Sequence, residues 1–277
     1  MDYRTSQDYE TLSVTDTAAG ILVRSSVATS VGMVRGNNED SIRVWSFGAY
    51  ILGLVADGMG GAAGGEEASR IAVQYIQSEL VEAFPDATAW ATASEDDVVE
   101  KIRLALTKAN QAVLERATQD HQLHGMGTTA TMVIVRGKRA IFAHIGDSRA
   151  YLINGLNRHI SQITSDHSFV EALVSSGHLT KEQAAEHPMR NVLYRALGQK
   201  PENELEIDIY KHDLGINDRL VLCSDGLTRH VEDREIGELA AKLDDPHEIA
   251  QRLIALANER GGEDNISVVV FVLSNLE

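Results

Sequence analysis

The sequence predicts an α+β fold in which two antiparallel sheets pack face to face with helices outside. Two observations lead there. Strand-like runs follow one another across short turns, while helical patterns come in consecutive pairs, so the strict alternation of a doubly wound sheet is absent. Several strands are also unbroken apolar runs, as Ile51–Ala56 and Arg219–Cys223 are, which reads as buried strand. With neither an internal repeat nor a low-complexity linker, residues 21–277 read as a single domain.

Taken in order, residues 1–20 are polar and without sustained period, and a flexible N-terminal tail is expected. Ile21–Ser30 is a first strand. Val31–Asn38 is a loop that carries Arg35 towards the acids Glu39 and Asp40, and Ser41–Trp45 and Ile51–Ala56 are the next strands. Beyond Gly60 and Gly61, Ala68, Ile71, Ala72, Tyr75, Ile76 and Leu80 keep helical spacing until Pro85. Ser94 and Asp97 open a second helix with the stripe Val98, Ile102, Ala105 and Ala109. Thr128–Arg136 and Arg139–Ile145 form a hairpin, and Ala150–Ile153 pairs with Asn157–Ile163 around Asn154-Gly155. Capping boxes at Ser168/Glu171 and Thr180/Gln183 start two short helices, a helical flap over about residues 168–191. Strands return at Ile207–Tyr210 and Arg219–Cys223. Asp245-Pro246 opens a last helix, and Ile266–Leu273 closes the chain.

The net charge of −16 argues against a general nucleic-acid or anionic-membrane binder. No apolar run reaches membrane-spanning length and no secretory leader is visible. Cys223 is the single cysteine, which excludes an internal disulfide and fits a reducing cytoplasm.

Five acidic points share one kind of location. Asp57 and Asp225 end apolar strands in Asp-Gly, and Asp147 follows Ile145-Gly146 at the end of a third. Glu39-Asp40 and Glu263-Asp264 stand just before two more strands. Antiparallel pairing sets one strand's end beside its neighbour's start, so all five can gather along one edge. Gathered carboxylates repel unless a cation joins them. Oxygen donors without a Cys-x-x-Cys or His pair favour Mg²⁺ or Mn²⁺ over Zn²⁺. Two such ions roughly 4 Å apart suit phosphoester hydrolysis by activated water, with Arg35 placed to hold the phosphate.

Three other readings fare worse. Gly58-Met59-Gly60-Gly61-Ala62-Ala63 fits a dinucleotide-binding glycine pattern, but Asp57 would face the pyrophosphate and no parallel strand follows. Cys223 and Arg229 have the spacing of a thiolate phosphate cradle, yet Asp225 within that loop opposes both anion binding and thiolate formation. Asp-Gly is also ordinary turn chemistry, and one such pair alone would carry no further meaning.

Eight motifs occur in order: Arg35-x-x-Asn38-Glu39-Asp40, Ala56-Asp57-Gly58-Met59-Gly60-Gly61, Gly127-Thr128-Thr129, Gly146-Asp147-Ser148-Arg149, Asp166-His167-Ser168, Arg195-Ala196-Leu197-Gly198, Ser224-Asp225-Gly226-Leu227 and Gly262-Glu263-Asp264-Asn265. From Val23 to Leu273 the chain resembles the bacterial branch of the metal-dependent type-2C (PPM) protein phosphatases. The resemblance implies a four-layer αββα sandwich and hydrolysis of phosphoserine and phosphothreonine in proteins, in opposition to a serine/threonine kinase. It assigns Asp57 as the carboxylate bridging two Mn²⁺ or Mg²⁺ ions, the Gly58 carbonyl to one, and Asp225 and Asp264 to the other. Glu39 and Asp40 would act through water held by the ions, Asp147 with Asp225 at a weaker third site, and Arg35 on the substrate phosphate. The flap would affect substrate choice. A monomer acting on phosphorylated proteins, with neither nucleic acid nor membrane as partner, is expected. One departure stands out: many relatives have a histidine after Gly-Met-Gly-Gly, proposed to protonate the leaving alcohol, where this chain has Ala62. A pseudophosphatase that binds phosphoproteins without turnover is the alternative.

Overall fold

The computed structural model describes residues 9–16, 19–60, 64–200 and 204–276. The strands are β1 Tyr9–Asp16, β2 Ile21–Ser30, β3 Asp40–Phe47, β4 Tyr50–Met59, β5 Gly127–Thr128, β6 Ala130–Arg136, β7 Arg139–Ile145, β8 Arg149–Ile153, β9 Ile160–Gln162, β10 Asp208–Asp213, β11 Arg219–Cys223 and β12 Ile266–Asn275. The helices are α1 Gly64–Ala83, α2 Ala87–Thr92, α3 Glu95–Gln119, α4 Phe169–Ser175, α5 Lys181–Ala185, α6 Asp225–Thr228, α7 Asp233–Lys242 and α8 Pro246–Glu259.

Two antiparallel sheets result. One runs β1-β2-β12-β11-β8-β9, the other β10-β7-β6-β4-β3 with β5 attached to the end of β4. The expected sandwich is what forms, and the period of two explains its apolar strands. Ile51 and Val55 of β4 enter the core between the sheets with Val269 and Phe271 of β12, while Leu52 and Leu54 face α1 and α3. On the other sheet Val268, Val270 and Val272 turn outward to meet α8, through Leu253 and Ile254. Each central strand thus buries both faces, and the layers are helix, sheet, sheet, helix. Close approach between the sheets needs Gly53, where a Cβ would stand 2.6 Å from Phe271 Cζ.

The tail expectation is corrected over Tyr9–Asp16. These residues form β1, paired antiparallel with β2 from Tyr9↔Ala28 to Asp16↔Ile21. Glu10, Thr11, Ser13 and Thr15 are exposed, whereas Val14 is buried. An edge strand with one well-buried side chain has little apolar signal to show. Residues 1–8, 17 and 18 of the expected tail lie outside the described residues.

Candidate active site

The register does what strand ends and starts suggested. Asp40, the first residue of β3, lies directly opposite Asp57 near the end of β4. Asp225 follows β11, Asp264 precedes β12, and these strands are antiparallel neighbours in the other sheet. Asp147 lies in the turn by which the chain crosses from β7 to β8, from one sheet to the other. The acids therefore gather at one end of the sandwich and straddle both sheets, rather than lining the edge of a single sheet.

Local sequence fixes each acid. Thr128 and Thr129 grip the Asp57 backbone: Thr129 Oγ1 accepts its N–H at 2.9 Å, and its carbonyl accepts from Thr128 Oγ1 and the Thr129 N–H, both at 2.9 Å. Gly58 has no room for a side chain, since a Cβ would lie 2.1 Å from the Gly65 carbonyl oxygen. Gly65 in turn leaves space at the start of α1 for Glu39, whose Oε2 would stand 2.8 Å from a Cβ there. Ser224 Oγ donates to Asp40 Oδ2 at 2.8 Å across the two sheets. Asn265 holds the loop that carries Arg35: its amide donates to the carbonyls of Val31 and Asn37 at 2.9 Å each, and its Oδ1 accepts the Glu39 N–H at 2.8 Å. Gly146 has φ +114°, and a Cβ would stand 2.5 Å from Thr129, so the turn before Asp147 requires glycine. Arg149 braces that turn with a bidentate pair to Asp166 at 2.8 and 3.0 Å.

The electrostatics are those of an acidic cluster in a half-buried place. Burial raises the Asp40 carboxyl to about 7; hydrogen bonds from Ser267 and Ser224 oppose that, and Asp225 and Asp264 add to it. Burial holds Asp57 well above the usual carboxylate range, reinforced by Asp40, Asp225, Asp147 and Asp264. Asp147 is raised by burial and then by Asp225 and Asp166. Asp225 is raised by burial, with Arg229 pulling it back. Asp40 Oδ1 is buried without a hydrogen-bond partner. An orphaned carboxylate oxygen among mutually repelling acids, with an all-oxygen donor set, fits a hard divalent cation. Among the described residues no three His, Cys, Asp or Glu side chains close into a finished cage. Two guanidiniums stand among the acids instead. Arg35 Nη2 donates to Asp264 Oδ2 at 2.9 Å, and Arg229 donates to Asp225 and, at 3.2 Å, to Asp264 Oδ2.

Other candidates fall away. Cys223 is wholly buried in the core beneath α8, and burial pushes its thiol up, so it is no nucleophile. His144 is buried between Thr131 Oγ1 at 2.9 Å and the Ser165 carbonyl at 3.1 Å, and burial lowers it to about 3. His167 accepts the Gly146 N–H at 3.1 Å and shapes the Asp147 turn. Both are structural. Ala62 and its neighbours Gly61 and Ala63 lie outside the described residues. The flap helices α4 and α5 border a cavity of about 1230 Å³ that Asp147, Asp225 and Arg229 also line. The roles of Thr128, Thr129, Ser224 and Asn265 were missed from sequence; only their place inside short motifs singled them out.

Comparison with known proteins places the chain in a family. The family model described as protein phosphatase 2C matches residues 34–262. Serine/threonine protein phosphatase PstP of Mycobacterium tuberculosis is 38% identical over 250 residues, which are 90% of this chain and 45% of that protein. The chain thus spans under half the length of that relative. Serine/threonine phosphatase stp of Listeria monocytogenes is 37% identical over 243 residues, 87% of this chain and 92% of that one. The PstP catalytic domain solved with two manganese ions superposes with a TM-score of 0.76 at 34% identity, covering 92% of this chain and all of that one. The chain belongs to the protein phosphatase 2C family, beside the bacterial serine/threonine phosphatases.

Proposed function

We propose that this chain hydrolyses phosphoserine and phosphothreonine in proteins, with Asp57, Asp225 and Asp264 as the residues on which catalysis depends. The observation that carries the reading is the meeting of Asp40, Asp57, Asp147, Asp225 and Asp264 at one end of the sandwich, with one carboxylate oxygen left unpartnered. Asp57 would serve both of two Mn²⁺ or Mg²⁺ ions, the Gly58 carbonyl one of them, and Asp225 and Asp264 the other. Asp147 would contribute to a weaker third. Such ions supply Lewis-acid stabilisation of the phosphoryl oxygens and lower the pKa of an attacking water.

The chain's own residues do the rest. Arg35, 47% exposed, leaves Asp264 to meet the substrate phosphate through paired N–H groups. Glu39 and Asp40 accept hydrogen bonds from water in the site, and Ser224 orients Asp40 for that task. Thr128 and Thr129 keep Asp57 from following the reaction's changing charge. The reading takes the chain to act as a monomer. Cys223 is free and buried, which suits a reducing cytoplasmic setting. The reading includes a serine/threonine kinase as the opposing activity. The relatives are named as phosphatases, and the binding-only alternative gains no support from them.

The test is phosphate release from a phosphothreonine peptide. Release should need added Mn²⁺ or Mg²⁺, stop with EDTA, and survive alkylation of Cys223. Activity indifferent to both metal and chelator overturns the proposal.

A further inference from the structure

Arg229 has no task in the mechanism above, yet its guanidinium touches three groups of consequence. It donates to the Asp225 carboxylate, to Asp264 Oδ2 at 3.2 Å and to Asn191 Oδ1 at 3.2 Å. The first two are acids assigned to the ion site. The third lies at the end of the flap, where Phe169 N–H bonds to the Val192 carbonyl at 2.8 Å. The backbone of Arg229 is anchored independently, its N–H on the Asp225 carbonyl at 2.9 Å. The side chain is 26% exposed and borders the 1230 Å³ cavity, so it has somewhere to go.

A guanidinium and a divalent cation answer the same repulsion between half-buried acids. They do not answer it together: an ion on these oxygens would meet the guanidinium at short, repulsive range. We infer that Arg229 is a resident counter-ion that an entering divalent cation must displace from Asp225 and Asp264, and that its bond to Asn191 links this displacement to the flap. The inference rests on the assignment of those two acids as ligands. Its consequence is a reduced apparent affinity: if the pair is closed in roughly 90% of ion-free molecules, ion binding weakens about tenfold.

The opposite role is that Arg229 arranges the acids and stays with them once they are loaded. The two roles differ in sign, so calorimetric titration of the whole chain with Mn²⁺ separates them. Arg229→Met should bind Mn²⁺ roughly 5–20-fold tighter than the parent, around the tenfold that about 1.4 kcal/mol represents. Arg229→Lys keeps a charge without the fork that reaches both acids, and should fall between them. Arg234→Met is the control. Arg234 lines the same cavity but pairs with Glu238 at 2.7 Å, and its loss should leave Mn²⁺ affinity unchanged. Hydrogen exchange across residues 190–193 should change on Mn²⁺ addition in the parent and not in Arg229→Met.

Weaker or unchanged Mn²⁺ binding by both Arg229 variants overturns the inference. So does equal tightening by Arg234→Met, which would be a field effect alone, or a flap response that survives Arg229→Met. If the parent itself takes up no Mn²⁺, the ligand assignment falls first and the inference with it, which is a distinguishable result.

Discussion

Asp57 carries a charge that its surroundings oppose, and that opposition sets two expectations. Burial and four neighbouring acids raise its pKa, so the ionised side chain costs the ion-free fold stability. Asp57→Asn should therefore lower metal-dependent phosphate release by at least about 100-fold, as loss of a central electrostatic group does. In chelator the same variant should melt no lower than the parent. An active Asn variant would remove Asp57 from the machinery. Asp40 gives the pH dependence. Its carboxyl titrates at about 7 in the fold against 3.8 as a free side chain. Between those values the native state holds the extra proton, so the stability of the chelated protein falls as pH rises through the window. Melting curves in EDTA should show that decline, and Asp40→Asn should flatten it. A melting temperature that climbs across the window by the same amount in both proteins would contradict the assignment. The acids were legible because each ends or begins an apolar run. Thr129 and Asn265 were not, because their hydrogen bonds reach a strand and a loop distant in sequence, whose placement depends on a register that composition does not reveal.

At the scale of elements, the long apolar strands and most of the capped helices were readable, and each miss has its own cause. In α7 the buried face is Ile236, Gly237 and Ala240, and a Cβ at Gly237 would lie 2.9 Å from Ile160 Cβ. A helix of ten residues that seats a neighbouring strand's side chain on a glycine carries, in the middle of its buried face, a residue that argues against helix. Helix α2, of six residues, is too short for a period to show. The junction of β4 with α1 is where an element's position matters most for the site. Gly65 accepts Glu39 and the Gly58 carbonyl within 2.8 Å of the place a Cβ would take. Gly65→Ala should push α1 away from the strand end, costing about 1–3 kcal/mol of stability by overpacking. Mn²⁺ affinity should fall with it, since Gly58 and Glu39 move together. Calorimetry and thermal melting check both, and an unaltered affinity would show that the junction tolerates the shift without moving the site.

Across the whole molecule, the two sheets are joined by an apolar core and, at one end, by polar groups that would repel each other without help. Asp40 and Asp57 belong to one sheet, Asp225 and Asp264 flank neighbouring strands of the other, and Asp147 lies between them. Ser224 to Asp40 at 2.8 Å and the Glu39 N–H to Asn265 Oδ1 at 2.8 Å are hydrogen bonds that join the two sheets at this end. A cation held by acids from both sheets is then a clamp across the sandwich and should stabilise the entire fold, not only the cleft. At about 100 times its dissociation constant a ligand of the native state adds about 2.7 kcal/mol. At roughly 2–4 °C per kcal/mol for a chain of this size, the melting temperature should rise by about 5–10 °C with Mn²⁺. Asp225→Asn removes one of the other sheet's two acids, so its shift should be smaller while its melting temperature in EDTA stays near the parent's. Hydrogen exchange in β4 and β11 should slow together on Mn²⁺ addition, because opening either sheet would release the ion. Slowing confined to one sheet would mean that the cation is held by that sheet alone and that the acids of the other serve some different end.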